Sequence, residues 1–535
     1  MTKKTTVLFA CTAGMALASA LAFAQAGTME IASVNTAGDV ADSSCYHPSI
    51  SDDGRFVAFY SYATNLVSPA TSGTGQIYLR DRQLGTTTLV SHAYGDATTG
   101  GDSGALHPVV SADGTRVVFQ SQATNLVASA TSGIQVFVYN RLDGSIALVS
   151  CQNGSTTVGG NNTSASPVIS DDNRYVAFYS YATDLLGTAT SGTQVFVRDL
   201  TGGTTVLASV ANGGGGGNGT SSDPAISADG RYVAFQSSAT DLLGTATSGT
   251  QVFLRDLTGG TTLLVSENYL ETGDGNNNSA YPQITPDGAY VSFVSYATDL
   301  VVEVTSGEQV FLRDVGEGAT QLVSVSTSGD MANNASGGYG SGLSSDARYV
   351  SFDSYADNLI ADDANGDPDV FVRDAVAEET IVASESLDGG VGDDYSMMSD
   401  ISGDGRFVAF ESYASNLVAV AFSGGPKIFV LDLLGPPEPD AGVDGGADTD
   451  TDTDADTDTD SDTDTDADTD TDSDADTDVD TDTDADTDAD TDADTDADTD
   501  ADADAGTNGN GDDGCGCSAA GSRAADGASL LSSLF

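Results

Sequence analysis

Basic and metal-binding side chains are scarce in this sequence. Of 535 residues only 17 are Lys or Arg, 3 are His and 5 are Cys, against 81 Asp and Glu. The resulting formal net charge of −64 repels nucleic acid and anionic lipid, and favours cations, basic partners or plain solubility. His47, His92 and His107 are the only histidines, and no Cys/His group has zinc-ligand spacing. Catalytic signatures are missing as well: there is no G-x-S-x-G elbow, H-E-x-x-H helix, phosphate loop or dinucleotide fingerprint. Long apolar runs are limited to about Val7–Ala22, shorter than the ~20 residues of a membrane span. With Lys3 and Lys4 before it and Ala22, Ala24 and Ala26 after it, this run reads as a secretory signal peptide over residues 1–26. The mature chain is then expected outside the cytoplasm (extracellular, cell-surface or periplasmic), with no transmembrane span. Export permits disulfides, but Cys45 and Cys151 sit at different positions of their repeats, which argues against a bridge between them.

What the sequence has instead is repetition. Pro48, Pro108, Pro167, Pro224 and Pro282, then Ser341 and Ser399, anchor seven copies of one unit, spaced 57 to 60 residues apart. The copy from Pro224 to Ser266 reads as four short strands: Ala225–Ser227, Arg231–Ser237, Gln251–Asp256 and Thr261–Ser266. A tight turn follows the first strand, usually Asp-Gly as at Asp229-Gly230; Ala347 replaces glycine in the sixth copy, where a strained or differently shaped turn is expected. Aromatics recur at Phe59, Phe119, Phe178, Phe235, Phe293, Phe352 and Phe410 and again in each third strand, supplying packing between sheets. The fold class is therefore all-β: a seven-bladed β-propeller of four-stranded antiparallel blades over residues 27–434. The seventh copy ends after its third strand, whereas Met29–Asp39 matches the fourth-strand region of the fifth copy, Gln321–Asp330. The N-terminal strand is thus expected to close the ring.

The string S-x-D-G-R-[FY]-V-A-F-x-S followed by Q-V-F-[VL]-R-D resembles the TolB-type, WD40-like propeller repeats of exported bacterial proteins. The likeness runs from Gly27 to Leu434 and implies a propeller and an envelope or extracellular location. The family's S-P-D-G is approximated at Thr285-Pro286-Asp287-Gly288, and no TolB-type N-terminal domain precedes the repeats.

Asp occupies every even position from Asp448 to Asp504. These 29 residues leave 52 acidic against 17 basic, so the remainder still stands at −35. One charge every second residue and almost no apolar side chains make residues 435–514 an extended, disordered, self-repelling stalk. Residues 515–535 open on Cys515-Gly516-Cys517, which resembles the start of the myxobacterial C-terminal sorting tail, MYXO-CTERM; the apolar span and basic end of that tail are reduced here to Leu530, Leu531, Leu534 and Phe535, with Arg523 before them.

Shared residues read as scaffold. The repeated Asn65, Asn125, Asp184, Asp241, Asp299, Asn358 and Asn416 fit turn caps better than a ring of cation or sugar ligands. Arg80, Arg198, Arg255, Arg313 and Arg373, each followed by Asp, read as interblade ion pairs. One copy departs: Asp362 to Asp369 replaces T-S-G-T-Q and concentrates oxygens, so Asp363, Asn365, Asp367 and Asp369 are candidate calcium ligands, though not at EF-hand spacing. No other cofactor is indicated. The long Gly, Asn, Ser and Asp-rich connections between units would share one face and suit binding. The leading expectation is a monomeric, non-catalytic scaffold that binds a protein or glycan and no nucleic acid. The alternative is a hydrolase or lyase with carboxylates in the channel.

Overall fold

The computed structural model describes residues 27–303 and 305–435. The segments expected to be a signal peptide, an Asp-Thr and Asp-Ala stalk and a Cys-containing tail lie, Gly435 apart, outside the described residues. Those described form seven four-stranded antiparallel sheets and one short hairpin, with no helix among them. Blade four is representative, with strands Ser221–Ile226, Tyr232–Ser237, Gln251–Asp256 and Thr261–Leu264 in that spatial order. Its first strand starts earlier than the sequence pattern indicates because the chain crosses a bulge at Asp223 without leaving the sheet. Its last strand ends two residues sooner: Val252 N–H bonds to the Ser266 Oγ at 3.0 Å, so a side chain takes over from the ladder.

The ring closes as expected. Ser396–Ile401, Phe407–Ser412 and Lys427–Asp432 form three strands of blade seven, and Thr28–Ile31 adds the fourth, pairing Thr28 with Asp432 and Ile31 with Phe429. First strands of adjacent blades pack on one another around the whole ring, so they surround the axis.

The core lies between blades. Phe119 and Phe137 of blade two pack with Ala58, Ile77 and Leu79 of blade one. In every blade the second- and third-strand aromatics also stack within their own sheet, as Phe235 and Phe253 do at 6.0 Å. Burying each such ring contributes roughly 1.5–3 kcal/mol, repeated around the circle. Cys45 and Cys151 are buried and free.

The hairpin turns are built alike. Ser227 Oγ donates to Asp229 Oδ1 at 2.8 Å, and Arg231 N–H donates to the same oxygen at 2.9 Å. Gly230 has φ +71°, and a Cβ there would lie 2.2 Å from Tyr175 of the preceding blade. Asn173 takes the same left-handed backbone at the equivalent place, φ +61°, and its Nδ2 donates to Asp113 Oδ2 of the preceding blade at 2.9 Å. Ala347 keeps the ordinary turn shape at φ +59°, so the expected irregularity is strain alone.

Candidate functional site

Each first strand is interrupted in the same way on the side of the long connections. His47, His107, Ser166, Asp223, Tyr281 and Met398, each just before the anchor position, have φ of 46 to 54°, and Gly340 stands there in blade six. Sheet register shifts across each of these bulges. Such backbone is held only where its surroundings impose it. At three of them the support comes from the second strand of the preceding blade. Glu411 Oε2 accepts the His47 N–H at 3.0 Å, Gln120 Oε1 that of Ser166 at 2.8 Å, and Gln236 Oε1 that of Tyr281 at 3.1 Å.

Asp353 occupies the same second-strand position in blade six, one methylene shorter than Glu411. It is 1% exposed, and neither carboxylate oxygen has a hydrogen-bond partner. The amides of Gly338 and Tyr339 lie close enough to favour its charged form without reaching hydrogen-bond geometry. Burial, and behind it the charge of Glu308, raises its pKa to about 7. Glu411, 3% exposed, is likewise raised to about 7 by burial, with the Asp353 charge adding and the His47 amide opposing. Burial also raises Glu308, against a bond from Tyr296. None of the groups shifting these three carboxyls is a cation.

Tyrosines rim these acids. Blade six has two extra residues in its first strand, Ser336–Leu343, and its Gly-Gly-Tyr-Gly run carries Tyr339 to the surface. Tyr339 lies within electrostatic reach of Asp353, Glu411 and Tyr395, and Tyr355 of Tyr339 and Asp353. Tyr395 meets Tyr413 edge-on at 6.4 Å, and Tyr46 stacks on Tyr60 at 5.1 Å. Farther round, the rings of His47 and His107 lie 4.6 Å apart. Burial and then the charge of His107 pull His47 down to about 3; His107 is lowered too, by the protein crowded around a ring that still keeps an exposed surface.

The opposite end of the channel is cinched by backbone. Asp52 N–H bonds to Ala112 O at 3.0 Å, Ala228 N–H to Pro286 O at 2.9 Å, and Ser345 N–H to Gly403 O at 2.9 Å. A Cβ on Gly403 would meet both Asp52 and Ser345 below 2.8 Å. Asp171 is raised to about 6 by burial and then by Asp52, and Asp400 to about 6 by burial, although Ile50 N–H donates to it at 2.9 Å.

The residues singled out by repetition are scaffold. All seven Asn/Asp ring positions accept an N–H from the connection to their own blade, as Asp241 Oδ1 does from Asn218 at 3.0 Å and Asn416 Oδ1 from Asp393 at 3.1 Å. They staple loops rather than cap their own turns. The Arg-Asp expectation is corrected more sharply. Arg80, Arg198, Arg255, Arg313 and Arg373 donate to fourth-strand threonines, as Arg255 does to Thr262 at 3.0 Å, and only Arg313 makes an ion pair, with Glu267 at 3.1 Å. The repeated pairs belong to the arginine that follows five of the seven turns, such as Arg231 with Asp256 at 2.7 Å.

The acidic stretch of blade six borders a shallow cavity of about 520 Å³. Asp369 stands where five other blades have a buried glutamine and blade seven has the buried Lys427. Gln251 accepts from Ser266 at 2.6 Å and donates to Gly275 O at 3.2 Å. Asp369 accepts from Ser384 at 2.8 Å, while Asn365 Nδ2 donates to Gly392 O at 3.0 Å and to Asp369 at 2.9 Å. Two short side chains thus replace one long one. Asp367 N–H takes the Asn365 oxygen at 3.0 Å, and Asp363 shares no hydrogen bond with the other three. Among the described residues no group of three or more His, Cys, Asp or Glu is arranged to hold a metal ion.

No protein-family model matches the chain, and no curated protein does. Solved structures similar to it include TolB from Acinetobacter baumannii, at 13% identity over 62% of this chain and 63% of that one, with a TM-score of 0.36. The oligogalacturonate lyase from Vibrio parahaemolyticus aligns at 12% identity over 76% and 97%, with a TM-score of 0.44. The β-propeller domain of the Trilobed protease from Pyrococcus furiosus aligns at 12% over 73% and 94%, with a TM-score of 0.41. The chain thus spans less than two thirds of the Acinetobacter TolB. Its structural neighbours include TolB and other propeller proteins, and what they share with it is the fold. No helix among the described residues is long and apolar enough to cross a membrane.

Proposed function

We propose that this protein is an exported, monomeric, non-catalytic propeller that binds a protein or glycan, and no nucleic acid, at the channel mouth on the face of its long connections. The observation that carries this reading is the tyrosine rim over Asp353, Glu411 and Glu308, where the repeat is broken and the buried Asp353 carboxylate is left without a partner. Aromatic faces supply contact area at low entropic cost, and clustered acids supply orientation. Residues 1–26 direct export, residues 435–514 form a spacer, and residues 515–535 attach or sort the protein at the surface. Calcium at Asp363, Asn365, Asp367 and Asp369 belongs to this proposal too; it requires Asn365 to turn its oxygen from the Asp367 amide toward the ion.

The test is a peptide-array and glycan-array screen of the intact protein, with and without millimolar calcium, beside a Tyr339→Leu/Tyr395→Leu variant. Ligands retained by wild type and lost by the variant are expected. A variant that keeps every ligand overturns the reading, and identical binding and no saturable heat on adding calcium remove the metal. A hydrolase or lyase is the second reading, favoured by one observation: two neighbouring carboxyls held near 7, within the range of acid and base catalysis. Turnover of an arrayed glycan that Glu411→Gln abolishes would put it first.

A further inference from the structure

We infer that the mouth at blades five to seven receives one organic cation, the ammonium or guanidinium of a Lys or Arg side chain on a partner polypeptide, with Asp353 as its counter-ion. This rests on the binding reading above and names the ligand class of that site.

Three observations converge. Asp353 is nearly fully buried, and both oxygens lack a partner. A buried carboxylate left alone is costly, and the usual remedy is a cation of the protein's own. That remedy is withheld here: none of the seven ion pairs among the described residues includes Glu308, Asp353 or Glu411. The rings above the carboxyls, Tyr339, Tyr355 and Tyr395, are 38 to 42% exposed, and aromatic faces attract ammonium and guanidinium groups.

The alternatives fit less well. A hard metal ion wants several oxygens converging, and Glu308, Asp353 and Glu411 do not form such a group. A neutral sugar would leave the negative charge uncompensated. A polypeptide is favoured over a free amine because exposed acids, Asp357 and Asp394, stand beside Tyr355 and Tyr395 in the chain. They extend the attraction beyond the reach of one small ion.

The experiment measures fluorescence anisotropy of a labelled tri-lysine peptide on the full-length protein at physiological ionic strength. The same peptide with acetylated amines, spermidine as competitor and cellohexaose serve as comparison probes. Asp353→Asn is expected to weaken tri-lysine binding roughly tenfold or more, as loss of a desolvated charge pair does. Asp388→Asn removes the same charge from the exposed surface of the same face and is expected to change it by less than about twofold. Tyr339→Leu, which leaves the carboxyl in place, is expected to weaken binding, and acetylation to abolish it. Equal losses in Asp353→Asn and Asp388→Asn, or none in either, overturn the inference. Spermidine competing as strongly as the peptide overturns the polypeptide source. If cellohexaose binds in a Tyr339-dependent way while tri-lysine does not, the cation falls and the binding scaffold stands.

Discussion

The two faces of the propeller treat charge in opposite ways. On the face of the tight turns, five arginines each meet an aspartate at 2.7 Å: Arg55 with Asp81, Arg174 with Asp199, Arg231 with Asp256, Arg348 with Asp374 and Arg406 with Asp432. On the face of the long connections, Glu308, Asp353 and Glu411 gather without a cation. One repeated sequence built both faces, so the difference lies in positions where copies diverge. Matched charge supports five of the blades. Carboxyls raised by burial without a cation also occur at Asp52, Asp171 and Asp223. Among the described residues, however, only Asp353 has both oxygens buried and without a partner, and that group marks what the molecule keeps available.

The comparison can be broken most strongly at Asp353. Asp353 and Glu411 have folded pKa values raised to about 7 from ordinary values of 3.8 and 4.5. A carboxyl raised in this way binds its proton more tightly when folded. Its contribution to stability is complete below the unfolded pKa and is lost as pH rises to about 7. At about 1.4 kcal/mol per pKa unit, Asp353→Asn is expected to gain on the order of 2–4 kcal/mol at about pH 8 and much less at about pH 5. Guanidinium denaturation at the two pH values measures this. The other charged and titratable groups facing Asp353 are Glu308, Glu411, Tyr339 and Tyr355, so Glu411→Gln should lower the Asp353 pKa and shrink the gain. A loss of stability at alkaline pH would mean that the carboxylate is satisfied and that the two faces do not differ.

Most of the fold was legible because each blade repeats the same physical demands. Phe235 and Phe253 mark the buried face, Asp229-Gly230 the turn, and the missing seventh fourth strand the closure by Thr28–Ile31. The candidate site was less legible. Asp353 and Glu411 follow the second-strand phenylalanine where other blades have Tyr, Gln or Val, so a signal existed. It is a departure at one aligned position, hidden behind the louder acidic run from Asp362 to Asp369. Much of that run instead replaces a glutamine, a role visible only once Asn365 and Asp369 are seen bonding the same partners that Gln251 bonds elsewhere. The arginines misled for a related reason. Arg-Asp neighbours alternate across a strand, so adjacency sends the two side chains to opposite faces, and Asp256 pairs with Arg231 from the turn rather than with anything beside Arg255.

A smaller effect would sharpen the comparison by making the turn face resemble the mouth. Asp374 is fully buried, and burial pushes its carboxyl up. The bond from Arg348, with the amides of Ala377 and Val376, outweighs that and holds it below the usual range. Its stability contribution is therefore present above the unfolded pKa and lost as pH falls. Arg348→Met keeps the length of the side chain over Tyr349, removes the charge 2.7 Å from Asp374, and leaves the two amides in place at 2.9 and 2.8 Å. With the cation gone, burial should prevail and the sign should reverse. The expected loss is about 1–3 kcal/mol at about pH 8, recovering on acidification to about pH 5 as Asp374 takes up a proton. The same denaturation series reads it. A deficit that stays constant with pH would show that the amides alone keep Asp374 ionised. The absent cation at Asp353 would then matter less than its absent hydrogen bonds.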